Sequence, residues 1–166
     1  MGWYSTGGGI TTRSGEAVCP AGSYCTGGVR VECPSGRYGG TEGLADANCT
    51  ALCAAGTYCE ESAVREQPCG GNGEVYCPEG SEGPTIAEGG TYTTPTTAPA
   101  GSREGVAACP EGFFCREGVA TACGAATVYC AAGASDPVVV LTGEYTLPEA
   151  AAVNARTAVA DCPPGE

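Results

Sequence analysis

Thirteen cysteines in 166 residues constrain this chain more than any other feature, and they are not scattered. Cys19-Pro20-Ala21-Gly22-Ser23-Tyr24-Cys25, Cys53-Ala54-Ala55-Gly56-Thr57-Tyr58-Cys59 and Cys109-Pro110-Glu111-Gly112-Phe113-Phe114-Cys115 share one frame. Where a Pro follows the first cysteine it presets φ, and the Gly two residues later relieves sterics, so the chain reverses between two sulfurs. The ring before the second cysteine (Tyr24, Tyr58 or Phe114) is the one large side chain positioned to cover each sulfur pair.

Nothing else in the composition supplies a core. The 42% apolar content is mostly Ala and Cys, and Leu, Ile, Val and Phe together number 21. That is below the roughly 20% at which a chain buries enough apolar surface to fold unaided. Cross-links must replace the missing interior. The expectation is a fold of small disulfide-rich repeats, mostly turns and short β-hairpins with little helix, forming an extended array. A compact enzyme domain with a large interior is excluded. The best strand candidates are Val29–Glu32, 75–77 and 138–147. The Ala-rich stretch 148–160 has the composition of a short helix, which its counterparts 7–13 and 94–103, rich in Gly, Thr and Pro, lack. Bridges closing short loops contribute about 2–3 kcal/mol each.

Self-comparison finds the repeat. Shifted by 53 positions, residues 77–113 and 130–166 coincide at 14 of 37 sites, against about three or four expected by chance. Shifted by 90, residues 13–33 and 103–123 coincide at 10 of 21. A unit opens with Gly-x-Tyr-Ser/Thr, runs through a Gly/Thr/Pro/Ala stretch to an Arg (Arg13, Arg103, Arg156), and closes with Cys-Pro-x-Gly-x-aromatic-Cys. The organisation is then a long unit over 1–89 with eight cysteines, a short one over 90–142 with four, and the start of a further, truncated unit over 143–166.

Twelve cysteines are expected in bridges: Cys19, Cys25, Cys33, Cys49, Cys53, Cys59, Cys69, Cys77, Cys109, Cys115, Cys123 and Cys130. Cys162 begins another such frame and is expected to lack its partner, with a complete protein carrying one free surface thiol as the alternative. Sequential pairing makes the extra 36 residues of the long unit self-contained, with Cys33 to Cys49 and Cys53 to Cys59 inside them. Alternating pairing, first to third and second to fourth, stays open.

The pattern resembles the ephrin-receptor-like cysteine-rich repeats, through Cys19–Cys25, Cys33-Pro34-Ser35-Gly36-Arg37-Tyr38-Gly39, Gly43-Leu44, Cys49, Cys53–Cys59, Pro68-Cys69-Gly70-Gly71 and Val75-Tyr76-Cys77-Pro78-Glu79-Gly80. Such arrays are similar to those of large secreted or surface proteins of algae and protists, flagellar-hair (mastigoneme-like) subunits among them. The resemblance implies an extended extracellular array with no catalytic residues. Cys130-Ala131-Ala132-Gly133 departs from the Cys-Pro-x-Gly form, which puts its local turn in question.

Charge narrows the chemistry. The net charge is −12, with neither Lys nor His. No cationic footprint exists for nucleic acid or an anionic membrane. The longest apolar run, Val138-Val139-Val140-Leu141, is far too short to insert in a bilayer. Without His or Lys the common bases and Schiff-base nucleophiles are missing, and the adjacent Glu60 and Glu61 read as solvated charge. No enzyme activity, cofactor or metal is expected: the cysteine spacing does not suit zinc and no acidic loop suits calcium. Thirteen cysteines imply an oxidising compartment, although residues 1–8 have no signal-peptide character, so a signal was removed or the chain is a piece of something longer. Asn48-Cys49-Thr50 is an N-glycosylation sequon. The Thr/Pro-rich run 91–100 offers Thr93, Thr94, Thr96 and Thr97 for O-glycosylation. Arg13, Arg103 and Arg156 either bridge neighbouring subunits or pair with a Glu or Tyr inside their unit.

Together these readings point to an extracellular structural repeat segment of a fibre, flagellar hair or cell-surface matrix. It is secreted, glycosylated, and self-associates into a filament through unbridged stretches such as 94–101. The alternative is a ligand-binding or adhesive cysteine-rich ectodomain of a surface receptor, for which no clustered aromatic surface marks a site.

Overall fold

The computed structural model describes residues 2–9, 11–152 and 155–163. It is a small disulfide-rich fold of antiparallel hairpins. β1 (Trp3–Thr6) pairs with β2 (Gly15–Val18), β3 (Ser23–Thr26) with β4 (Val29–Glu32), β5 (Arg37–Tyr38) with β6 (Ala51–Leu52) and β7 (Thr57–Tyr58) with β8 (Gln67–Pro68). β9 (Val75–Tyr76) pairs with β10 (Thr85–Ile86), β11 (Thr91–Thr94) with β12 (Gly105–Ala108) and β13 (Phe113–Arg116) with β14 (Val119–Ala122). β15 (Val128–Tyr129) with β16 (Val138–Val139) and β17 (Glu144–Leu147) with β18 (Ala158–Asp161) complete nine hairpins among the described residues.

One four-residue segment generates all nine. Gly2-Trp3-Tyr4-Ser5, Gly22-Ser23-Tyr24-Cys25, Gly36-Arg37-Tyr38-Gly39, Gly56-Thr57-Tyr58-Cys59, Glu74-Val75-Tyr76-Cys77, Gly90-Thr91-Tyr92-Thr93, Gly112-Phe113-Phe114-Cys115, Thr127-Val128-Tyr129-Cys130 and Gly143-Glu144-Tyr145-Thr146 each supply a first strand. The third residue is always aromatic and half-buried; the fourth is buried in every hairpin but the first. Strand alternation sends these two to opposite faces, so each ring lies on the face away from the adjacent sulfur and does not cover it as expected. The interior is instead built of sulfur and glycine. Apart from cysteines, Ala87 is the one buried hydrophobic side chain among the described residues.

The same backbone bond closes each hairpin at its open end. The N–H of the residue after the second strand donates to the carbonyl of the residue that opens the segment. It runs from Cys19 to Gly2, Cys33 to Gly22 and Cys53 to Gly36, each at 3.0 Å, and recurs to Cys162 and Gly143 at 2.8 Å. Further bonds join successive hairpins within each unit: Cys25 N–H donates to Leu44, Gly39 to Ala63 and Cys59 to Ser81 in the first, and Thr93 to Gly118, Cys115 to Ala134 and Cys130 to Arg156 in the second. A third set skips one hairpin, with Ser62 N–H donating to Cys33, Gly80 to Cys53 and Gly133 to Cys109. This last set explains the opening glycine. Gly36 has φ +78°, and a Cβ there would fall on the Gly80 carbonyl oxygen; Gly22 and Gly90 stand in the same relation to Ser62 and Gly133.

Six bridges pair the cysteines sequentially: Cys19–Cys25, Cys33–Cys49, Cys53–Cys59, Cys69–Cys77, Cys109–Cys115 and Cys123–Cys130. Their Cα separations of 5.7 to 6.1 Å suit an unstrained bridge. Each starts just after one hairpin's second strand and ends in the next hairpin. The second bridge is longer because its normal partner position is Gly39, where a Cβ would meet the Cys33 sulfur. Cys162 is free and exposed. The chain forms two compact units, Met1–Gly70 with Cys77–Thr85 and Gly71–Tyr76 with Ile86–Glu166.

Three local expectations change. Stretch 138–147 is not one strand: Glu144 N–H bonds to Leu141 in a turn, splitting it into β16 and β17 of different hairpins. The Ala-rich stretch 148–160 makes a turn, Ala151 N–H to Pro148, and then enters β18, because its tail pairs with Glu144–Leu147; Val153 and Asn154 lie outside the described residues. Ala155 within that stretch has 3-10 conformation, and a 3-10 turn also occupies Ala100–Ser102, in a stretch expected to have no helix. The Cys130-Ala131-Ala132-Gly133 turn keeps the form of its Pro-containing counterpart: Ala134 N–H bonds to Ala131 as Ser81 bonds to Pro78, both at 3.1 Å. The frame begun by Cys162-Pro163 continues outside the described residues.

Two substitutions probe this geometry in opposite directions. Gly36→Ala places a side chain on a left-handed residue against backbone and should cost at least about 2 kcal/mol. In the two-residue turns, Glu117 (φ +48°) stands where the equivalent hairpin has Gly27 (φ +58°). Glu117→Asn, which tolerates that region and makes an Asn-Gly turn, should stabilise by about 0.5–1 kcal/mol. Thermal unfolding of the oxidised protein reads both, and unchanged melting temperatures would contradict them.

Candidate functional site

The hairpin junctions are where the repeat varies. At most of them a sulfur pair occupies two positions, one after a second strand and one at the end of the next first strand. At the fifth junction these positions hold Ala87 and Thr93, and at the eighth Val140 and Thr146. A hydroxyl does part of the work of the bridge. Thr93 is fully buried and its Oγ1 donates to the Gly73 carbonyl at 2.6 Å; Thr146 Oγ1 donates to the Ala126 carbonyl at 3.1 Å. These bonds lie within the second unit.

An open groove flanks each bridge-free junction. The first, about 380 Å³, is lined by Tyr92, Thr93, Thr96, Arg103, Phe113 and Val119 among others. The second, about 500 Å³, is lined by Leu141, Tyr145, Thr146, Glu149 and Arg156 among others. A related hollow in the first unit includes Ser5, Arg13 and Glu16. The three arginines occupy one register and do one job. Arg13 donates to the Ser5 carbonyl and Arg103 to the Pro95 carbonyl; Arg156 donates to the Thr146 and Glu149 carbonyls, both at 2.8 Å. Each therefore clamps the long loop of its own hairpin through backbone oxygens, where a Glu or Tyr partner was expected. The Nε atoms of Arg103 and Arg156 are buried and find no partner among the described residues. The one ion pair among those residues, Arg116 with Asp136, is exposed and sits where such pairs contribute little.

The modification candidates separate on exposure. Thr93 is removed from the set: its hydroxyl is buried and spent on Gly73. Thr94 is half-buried in β11, whereas Thr96 and Thr97 are exposed. Asn48 is exposed, but Thr50 Oγ1 accepts the Gly40 N–H at 2.9 Å and Cys49 is bridged, so the sequon is open only before this hairpin closes. Among the described residues no three acidic or thiol side chains converge on a metal position. No helix among them is long and apolar enough to cross a membrane. Six bridges call for an oxidising environment. No family model matches the chain, and no curated protein matches it.

The junction residues went unread in the sequence, although the aligned pair Thr93/Thr146 was the available signal. Ala87 and Thr93 hold the backbone bonds that cysteines hold elsewhere, Ala87 N–H to Glu74 and Thr93 N–H to Gly118. The double substitution Ala87→Cys/Thr93→Cys should therefore close a seventh bridge on secretion. Intact mass would show no added free thiol, and stability should rise by about 2–3 kcal/mol. Two extra reactive thiols would refute the equivalence.

Proposed function

We propose that this chain is a non-catalytic, extracellular structural segment of a fibre, flagellar hair or cell-surface matrix, built of ephrin-receptor-like cysteine-rich repeats and able to self-associate. The observation that carries the reading is the recurrence of one closing bond in nine successive hairpins, with forward bonds between successive hairpins within each unit. A unit that satisfies its polar groups mainly on its neighbours has stability that adds junction by junction, and length costs it nothing. Sequential bridges lock that stacking, and the exposed Thr96 and Thr97 give glycans a place outside the interior.

The second reading, a ligand-binding or adhesive ectodomain, draws on Val139 and Leu141, exposed by 65% and 69%, with Leu141 on the edge of the groove beside Tyr145. Negative-stain imaging and non-reducing electrophoresis of the secreted native protein separate the two. Elongated, laterally associated particles support the structural role. Discrete compact monomers that adhere to cells would replace it with the second.

A further inference from the structure

The groove beside Tyr92 carries on its lining an exposed alcohol from the Thr/Pro-rich run. Thr96 stands there, in the register that Glu149 holds in the second groove. Of the Thr/Pro-rich run, Thr93 is buried, Thr94 is paired to Gly105 within β11–β12, and Thr97 is exposed away from the lining. Thr96 alone is both exposed and part of the groove. The walls are unusual for so acidic a chain. Tyr92 is half-buried, and Phe113 and Val119 are 37% and 50% exposed.

We propose that Thr96 carries an O-linked pyranose, a hexose or N-acetylhexosamine, and that the sugar lies in this groove against Tyr92, Phe113 and Val119. This rests on the extracellular, glycosylated reading above. The linkage forms when Thr96 Oγ1 attacks the anomeric carbon of a nucleotide-activated sugar in the secretory pathway. The new bond joins Oγ1 to that carbon, the bond from the carbon to the diphosphate oxygen breaks, and the nucleoside diphosphate leaves as the hydroxyl proton passes to the transferase base. No oxidation state changes. The fit is chemical: a pyranose presents a face of C–H groups to an aromatic or aliphatic wall and oxygen acceptors at its rim. The volume of about 380 Å³ sits at the small end of ligand sites, roughly 300–1,000 Å³, as one saccharide unit requires.

The test uses the full chain secreted from a host that O-glycosylates threonine. Electron-transfer fragmentation of the peptide spanning 66–103 should place a sugar on Thr96; Thr96→Ala should lose it, and Thr97→Ala should keep it. In the wild-type glycoform, nuclear Overhauser contacts should link sugar protons to the Tyr92 and Phe113 rings. The Tyr92 and Phe113 ring resonances should shift on enzymatic deglycosylation, a comparison that needs no variant to fold. Sugar on Thr94 or Thr97 alone, no sugar at all, or sugar on Thr96 without ring contacts would each overturn the proposal. Imaging of the same sample reports separately on the fibre: fibres without sugar sink this inference alone, and sugar without fibres sinks the fibre reading alone.

Discussion

The bond from the residue after each second strand back to the carbonyl that opens the hairpin organises everything else in this protein. It sets the length of each hairpin and points the donor residue's side chain inward, a short turn away from the next first strand. A cysteine in that place is therefore already within bridging distance of a cysteine at the end of the following four-residue segment. Glycine holds the acceptor position in seven of the nine hairpins because a carbonyl from two hairpins further on packs against its Cα in several of them. Hairpin closure, bridge formation and stacking are thus one geometric condition, met by backbone atoms. The side chains at other positions are left free to vary, which is why the repeats share so little beyond glycines, rings and sulfurs.

The same condition explains what the junctions without sulfur have become. Where a bridge is missing, the backbone bonds persist and a threonine hydroxyl takes the sulfur's place against the preceding hairpin. A hydroxyl is smaller than a disulfide and bonds in one direction, so the space beside it opens into a groove that an arginine partly closes. Loss of a covalent link and gain of a polar concavity are therefore a single event at these two places. That coupling separates them from the rest of the array as sites where chemistry other than stacking fits.

Much of this architecture could be read from residues, and the rest failed for definable reasons. Scarcity of Leu, Ile, Val and Phe pointed correctly to cross-linked hairpins in place of a core, because burial scales with apolar area whatever the topology. Shifts of 53 and 90 residues found the large repeats but hid the smaller one. Glu74 and Thr127 break the opening glycine, and Ser5, Gly39, Thr93 and Thr146 break the cysteine, so glycine, ring and cysteine stand together in only three of the nine hairpins. The long apolar run at 138–147 read as one strand because periodicity does not see a Gly143 turn, and the alanines after Pro148 read as helix because propensity ignores a waiting partner strand. Thr93 looked like a modification site from composition, which carries no information on burial.

An interior of sulfur and glycine has a thermodynamic consequence of its own. The heat-capacity change of unfolding comes mostly from apolar surface newly exposed to water, and here little such surface is hidden. With that term small, the enthalpy and entropy of unfolding vary little with temperature, and the stability curve loses the steep dome of an ordinary globular domain. Cold and warmth then weaken the fold only gradually. What controls it is the electron balance of its surroundings, since reducing the bridges releases the constraint on the unfolded chain that a core would otherwise have to offset.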